Sequence, residues 1–206
     1  MRSSWLALLF LVSCGSGVQQ ATITAPTAHA SAELNAGERW VLVPERSRID
    51  VVGVDIMGGK HPVTFDRWSG FVTIGPPNRV SCTIDMNSAR GESQTITDLL
   101  KYELMHVDQY PTGTLEGTID DKGLVKANSK LHGVERGLEF HGTLKREGDE
   151  YHFVARFKIL RYAFGIRSEA SWDSFVKDDV HIYVDVRARR ETKREEPSPA
   201  PADVTQ

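Results

Sequence analysis

The chain has 206 residues, 25 Lys and Arg against 28 Asp and Glu, a formal charge of −3 and two cysteines. So even a charge excludes a protein that grips nucleic acid through a general basic surface, and 40% hydrophobic residues exclude both a wholly disordered chain and a bundle of membrane spans. Two cysteines allow at most one disulfide, too few for a stapled miniature domain.

The N-terminus reads as an export signal. Arg2 supplies a positive charge, and Trp5 to Val12 form an apolar stretch of eight residues. That is too short for a spanning helix, which needs roughly 20 residues, but it suits the apolar region of a signal peptide. Leu11-Val12-Ser13-Cys14 resembles a bacterial lipobox. The resemblance implies cleavage after residue 13, acylation of Cys14 as lipidation site, and a membrane anchor. Gly15 in place of Asp implies sorting to the periplasmic face of the outer membrane. Cys82 would then have no disulfide partner. Residues 14–38 are rich in Gly, Ser, Thr, Ala and Gln and read as a flexible tether.

Residues 39–190 are the expected folded domain, with 22 basic and 22 acidic residues. Such a neutral domain offers no electrostatic case for nucleic acid or anionic lipid as its ligand. Short strands are predicted over 39–43, 48–57, 65–74, 114–119 and 124–131. Period-two alternation is strongest at Val80/Cys82/Ile84/Met86, Leu138/Phe140/Leu144, Tyr151/Phe153/Ala155/Phe157/Ile159 and Ile182/Val184/Val186/Ala188. One apolar and one polar face per segment indicate antiparallel strands wet on one side. Only 95–105 favours a long helix, with Ile96, Leu99, Leu100, Leu104 and Met105 at helical spacing and Pro111 beyond its end. A second short helix is predicted over 168–175. Residues 191–206, with Pro197, Pro199 and Pro201, read as a disordered tail.

Eight or nine strands and one helix predict an all-β barrel or a two-layer sandwich. An eight-stranded barrel can fill itself with side chains or hold one elongated ligand. Large inward residues alternate with small ones, which leaves both open. The candidate cavity residues are Phe71, Val80, Cys82, Ile84, Met86, Leu115, Phe140, Tyr151, Phe153, Phe157, Ile182 and Val184. Seven histidines raise a metal site, but no closely spaced ligand pair supports one. His141, His152 and His181 oppose the apolar faces, and His61, His106 and His132 read as exposed turn residues. Cys82 reads as a buried thiol rather than a nucleophile. No nucleophile elbow, phosphate loop or dinucleotide fingerprint occurs, so no catalytic residue or cofactor is assigned.

Five stretches carry a family resemblance: Trp40-Val41-Leu42-Val43-Pro44 with Ser47-Arg48-Ile49, Phe65 with Trp68-Ser69-Gly70-Phe71, Met105-His106-Val107 with Tyr110-Pro111-Thr112, Lys130-Leu131-His132-Gly133-Val134, and Tyr162-Ala163-Phe164-Gly165-Ile166. In this order they resemble the YceI-like family of bacterial proteins. The family's Phe pair before the Tyr-Pro is missing, and Glu135 stands where a Thr is usual. The resemblance implies an eight-stranded antiparallel lipocalin-like β-barrel with one inserted α-helix. It also implies an elongated apolar cavity for a polyisoprenoid or quinone-like lipid, and a binding protein rather than an enzyme. The alternative is a solid-cored barrel acting as an envelope interaction or stress-protection module without a lipid ligand.

Overall fold

A computed structural model describes residues 18–27 and 37–191. Cys14, the expected leader of residues 1–13 and the expected tail of residues 192–206 lie outside the described residues. The strands in chain order are β1 (Gln19–Gln20), β2 (Thr22–Thr24), β3 (Glu38–Leu42), β4 (Arg48–Asp55), β5 (Lys60–Phe65), β6 (Trp68–Ile74), β7 (Asn78–Asp85), β8 (Ala89–Arg90), β9 (Thr112–Ile119), β10 (Leu124–Leu131), β11 (Val134–Glu147), β12 (Glu150–Leu160) and β13 (Val176–Arg190). Helix α1 (Gln94–Asp98) runs directly into a wider π-helical turn over Leu99–Leu104.

Following the hydrogen-bonded neighbours gives a ring: β12, β11, β10, β9, β7, β6, β3, β13 and back to β12. Every link in it is antiparallel. β4, β5 and β8 are not a separate layer. β13 pairs with β3 near its C-terminal end and with β4 over the rest of its length. β4 pairs with β5, and β5 with β8. Thus β3–β4, β5–β6 and β7–β8 each act as one bent strand, and the molecule is an eight-stranded up-and-down barrel. Closure removes the exposed edges that an open sheet presents. The helix is inserted between the third and fourth of these strands and lies at one end.

Sequence alternation becomes geometry through the register. Leu138, Phe140, Gly142 and Leu144 face inward on β11, and Tyr151, Phe153, Ala155, Phe157 and Ile159 on β12. Gly142 pairs with Ala155, and a Cβ there would lie 2.3 Å from the Phe153 ring. The glycine therefore makes room for an aromatic neighbour on the inner face. The hairpin between β10 and β11 turns at His132 and Gly133, with φ of 49° and 74°. Two positive φ values in succession suit a tight hairpin, and the histidine adopts the left-handed form that glycine or asparagine usually supplies.

The expected tether of residues 14–38 needs correction over 18–27. β11 and β12 pair only over 142–147 and 150–155 and then diverge. The N-terminal segment fills the seam: β1 pairs in parallel with Phe157 and Lys158 of β12, and β2 pairs antiparallel with Gly137 to Glu139 of β11. Ala21 between them is buried, and its N–H donates to the Lys158 carbonyl at 2.8 Å. The Gln19 side-chain amide imitates a strand partner, donating to the His141 carbonyl at 2.6 Å and accepting from the His141 N–H at 3.2 Å. Asn128 on β10 donates to the Thr27 carbonyl and accepts from its N–H. The cause is the obligation to pair the backbone groups the divergence leaves open. A polar, aperiodic segment serves because it supplies its main chain more than its side chains.

A Cβ at residue 137 would lie 2.2 Å from Thr24 Oγ1 and 2.7 Å from the Ala25 carbonyl. Gly137→Val is expected to push β2 off the seam and destabilise the fold by about 1–3 kcal/mol. Amide exchange at Thr22 to Thr24 should accelerate at least tenfold; exchange equal to that of the parent protein contradicts the seam role.

Candidate functional site

The barrel is hollow. A cavity of about 490 Å³ runs through it, with an almost wholly apolar wall. That size lies within the range of small-molecule sites. Along β12 its lining extends from Tyr151 to Ile159, roughly 26 Å at 3.3 Å per residue, so the space is elongated. Eleven of the twelve candidate residues line it: Val80, Cys82, Ile84, Met86, Leu115, Phe140, Tyr151, Phe153, Phe157, Ile182 and Val184.

Phe71 does not, and its placement is a correction. Phe71 and Val72 are apolar neighbours, so period two alone does not fix which faces inward. β6 pairs Val72 with Val80, and both line the cavity. Phe71 pairs with Ser81 on the outer face, where the Arg39 guanidinium carbon lies 3.9 Å from its ring centre. A cation over the ring stabilises this half-buried aromatic on the outer face.

The ends of the barrel differ. At one end Trp40 is buried and packs edge-to-face on Tyr151, with ring centres 4.7 Å apart at 89°. At the other end three segments form a mouth: the turn between β4 and β5, the helical segment 94–104, and the 3₁₀ turn Ser171–Phe175. Asp55 and His61, then Ile96, Leu99, Leu100 and Leu104, then Trp172 and Phe175 all contribute to the lining. Trp172 Nε1 donates to Glu103 Oε2 at 3.3 Å, and the Ile56 N–H donates to the Phe175 carbonyl at 2.9 Å, so the three segments are mutually attached. The helical spacing of apolar residues was legible in the chain. That they form part of the cavity wall was not, because helical periodicity shows a buried face without showing what it faces.

Two polar side chains of the wall, Ser129 and Arg161, are occupied internally. Ser129 Oγ donates to the Thr114 carbonyl at 3.0 Å. Arg161, 2% exposed, donates from Nε to the Lys177 carbonyl and from its two terminal nitrogens to Ile166, Asp173 and Val176 carbonyls, the Tyr162 hydroxyl and Asp173 Oδ1. This arginine ties the mouth loop together. Burial alone would raise the Asp173 carboxyl, but hydrogen bonds from Arg161, the Ser168 N–H and the Tyr162 hydroxyl outweigh it and hold the group below its usual range. Burial pushes the Cys82 thiol up to about 12. The thiol is therefore a packing group at neutral pH.

The histidines divide differently from the expectation of exposed turns. His61 is half-buried, its Nε2 3.3 Å from Asp55 Oδ2. His106 and His132 pack ring to ring at 5.4 Å, with Tyr110 on His132 at 4.4 Å. Burial first, and His106 second, push the His132 imidazole below its ordinary value. On the outer wall His152 lies 2.7 Å from Asp185 Oδ1 and 3.2 Å from Glu147 Oε1, beside Arg187. No cluster of three or more metal-ligating side chains occurs among the described residues.

The family model described as YceI-like domain matches residues 40–188, and the chain belongs to this family. Two solved structures share the fold. One is a crystal structure of Burkholderia cenocepacia BcnA, at 19% identity and a TM-score of 0.65, covering 71% of this chain and 98% of that one. The other is a polyisoprenoid-binding domain from Saccharophagus degradans, implicated in plant cell wall breakdown, at 16% identity and a TM-score of 0.64, covering 74% and 98%. Among curated proteins nothing matches.

Two outcomes test this description. Native Cys82 should react with a thiol reagent at pH 8 on the order of a thousandfold more slowly than in urea, since its thiolate is that much scarcer; equal rates contradict a buried thiol. Arg161→Met should cost about 3–5 kcal/mol in urea unfolding by stranding Asp173. The depressed Asp173 value stabilises the fold above the unfolded-state value near pH 4, and this contribution fades as pH falls through the folded value. The variant should therefore lose part of the fall in urea midpoint seen below pH 4; an unchanged acid profile contradicts the pairing.

Proposed function

We propose that this protein binds a single elongated apolar lipid of the polyisoprenoid or quinone-tail class inside its barrel, as a carrier or sequestering protein rather than an enzyme. The observation that carries the reading is the elongated, almost wholly apolar cavity, in which Ser129 and Arg161 are already hydrogen-bonded within the protein. Such a wall gives little reward to a polar ligand and offers dispersion contacts along its whole length. Burying on the order of 400 Å² of prenyl carbon is worth roughly 10 kcal/mol before the cost of ordering the chain. Family membership and the polyisoprenoid-binding neighbour from Saccharophagus degradans support the same ligand class.

The reading extends to place. Acylation at Cys14 would hold the barrel at the periplasmic face of the outer membrane, next to a source of such lipids; the lipobox-like Leu11-Val12-Ser13-Cys14 supports this. One acyl chain gives only marginal attachment, so firm anchoring requires the multiple chains of a lipoprotein.

Organic extraction of the purified protein followed by mass spectrometry should release a prenyl lipid, and the emptied protein should bind an added polyprenol. Val184→Trp, which places a large ring in the cavity, should lower that binding at least tenfold while the folded barrel persists by circular dichroism. No retained lipid together with no binding of added prenyl chains would sink the proposal.

A further inference from the structure

We infer that the mouth of the barrel docks on a lipid bilayer, inserting the Ile56–Met57 turn and Phe175 into the interface. This inference rests on the lipid-binding reading above and adds how the ligand enters. Six large apolar side chains are exposed among the described residues: Ile56, Met57, Tyr102, Leu160, Tyr162 and Phe175. All six belong to the mouth end. Ile56 and Met57 form the turn after β4, Tyr102 is on the helical segment, Leu160 ends β12, and Tyr162 and Phe175 are in the loop before β13. Met57 is 94% exposed, Phe175 57% and Ile56 54%, and Ile56 is bonded through its backbone to Phe175. Apolar groups left singly on a surface need no explanation, but their confinement to one end does. The opposite end is built from ion pairs: Arg46 with Glu150, Arg187 with Glu147, Arg190 with Glu38 and Arg39 with Glu191.

Two further features favour a bilayer as the occupant. Phe175 is both exposed and part of the cavity wall, so the apolar surface continues from the rim into the interior. A prenyl chain could pass along it without crossing water.

Charge immediately beside the Ile56–Met57 turn and Phe175 also fits a headgroup layer. Asp55 accepts from the Met57 and Gly59 N–H groups, Asp173 is bound to Arg161, Asp178 accepts from the Tyr162 N–H, and Asp179 pairs with Lys158. Lys60 and Lys177 beside them are exposed, and neither has an ion pair among the described residues. These ammonium groups are placed to meet lipid phosphates.

The test uses the full chain bearing Cys14→Ala, so that no acyl group supplies contact with the membrane. A long polyprenol is offered by two routes: from ethanol solution, and from phosphatidylethanolamine vesicles containing a minority of phosphatidylglycerol. Ile56→Ser with Met57→Ser, neither of which lines the cavity, should leave uptake from ethanol unchanged and slow uptake from vesicles at least tenfold. Met57→Ser alone should shift vesicle uptake in the same direction by a smaller factor. Equal vesicle uptake by parent and double variant overturns the docking inference while leaving lipid binding intact. Loss of both routes in Met57→Ser also overturns it, since the turn would then serve the cavity. Rim-dependent self-association with unchanged vesicle uptake assigns the surface to a second copy instead. No uptake by the parent through either route overturns the lipid-binding proposal itself.

Discussion

Closure of the antiparallel ladder is the constraint on which everything else depends. Apolar side chains left to themselves collapse and exclude space, since protein interiors pack as densely as organic crystals. Here the ring of eight strands fixes the backbone positions, and the inward side chains cannot advance far enough to meet across the axis. Phe140 and Phe157 stack on one another, with ring centres 3.9 Å apart, rather than reaching across the space. The result is a cavity whose wall is apolar on all sides. The same closure makes each backbone edge an obligation. Where β11 and β12 diverge, residues 18–27 meet it with their own main chain and with the side-chain amide of Gln19.

The two ends then divide the work. Trp40 and Tyr151 close one end with aromatic bulk, surrounded outside by ion pairs. The other end is assembled from a turn, a helical segment and a loop, joined by few contacts and by the hydrogen bonds of Arg161. A buried, fully bonded arginine contributes more to defining the loop's shape than to net stability, because its desolvation cost offsets much of its attraction to Asp173. Thus the Trp40 end and the sides define the cavity, and in the proposed reading the mouth is where a ligand passes.

How much of this was legible follows from which physical signal each part leaves in a chain. Period-two alternation identified the long strands and eleven of the cavity-lining side chains, because a closed barrel wet outside and apolar within enforces it on every strand. It failed at Phe71-Val72, where two apolar residues in succession hide the phase and only the pairing with Val80 and Ser81 resolves it. It was silent on β5, which carries Lys60, His61 and Pro62. The hairpin at His132-Gly133 lacks the usual Asn-Gly signal, since packing against Tyr110 and His106 holds the histidine in its left-handed form. Residues 18–27 looked like a tether because their role is carried by backbone groups, which every residue has. The π-helical turn at 99–104 leaves no mark in a pattern already compatible with an α-helix. The hollow itself was not legible, since side-chain sizes permit a cavity without requiring one.

The central claim is that the barrel interior is a lipid site and not an unfilled packing defect. A crystal structure of the protein purified from its native cells, without delipidation, tests this most directly. The account predicts continuous elongated electron density along the axis, in contact with Phe153, Phe157 and Val184 and leading toward Trp172 and Phe175 at the mouth. An interior holding only ordered water, or closed by inward movement of its own side chains, would contradict it.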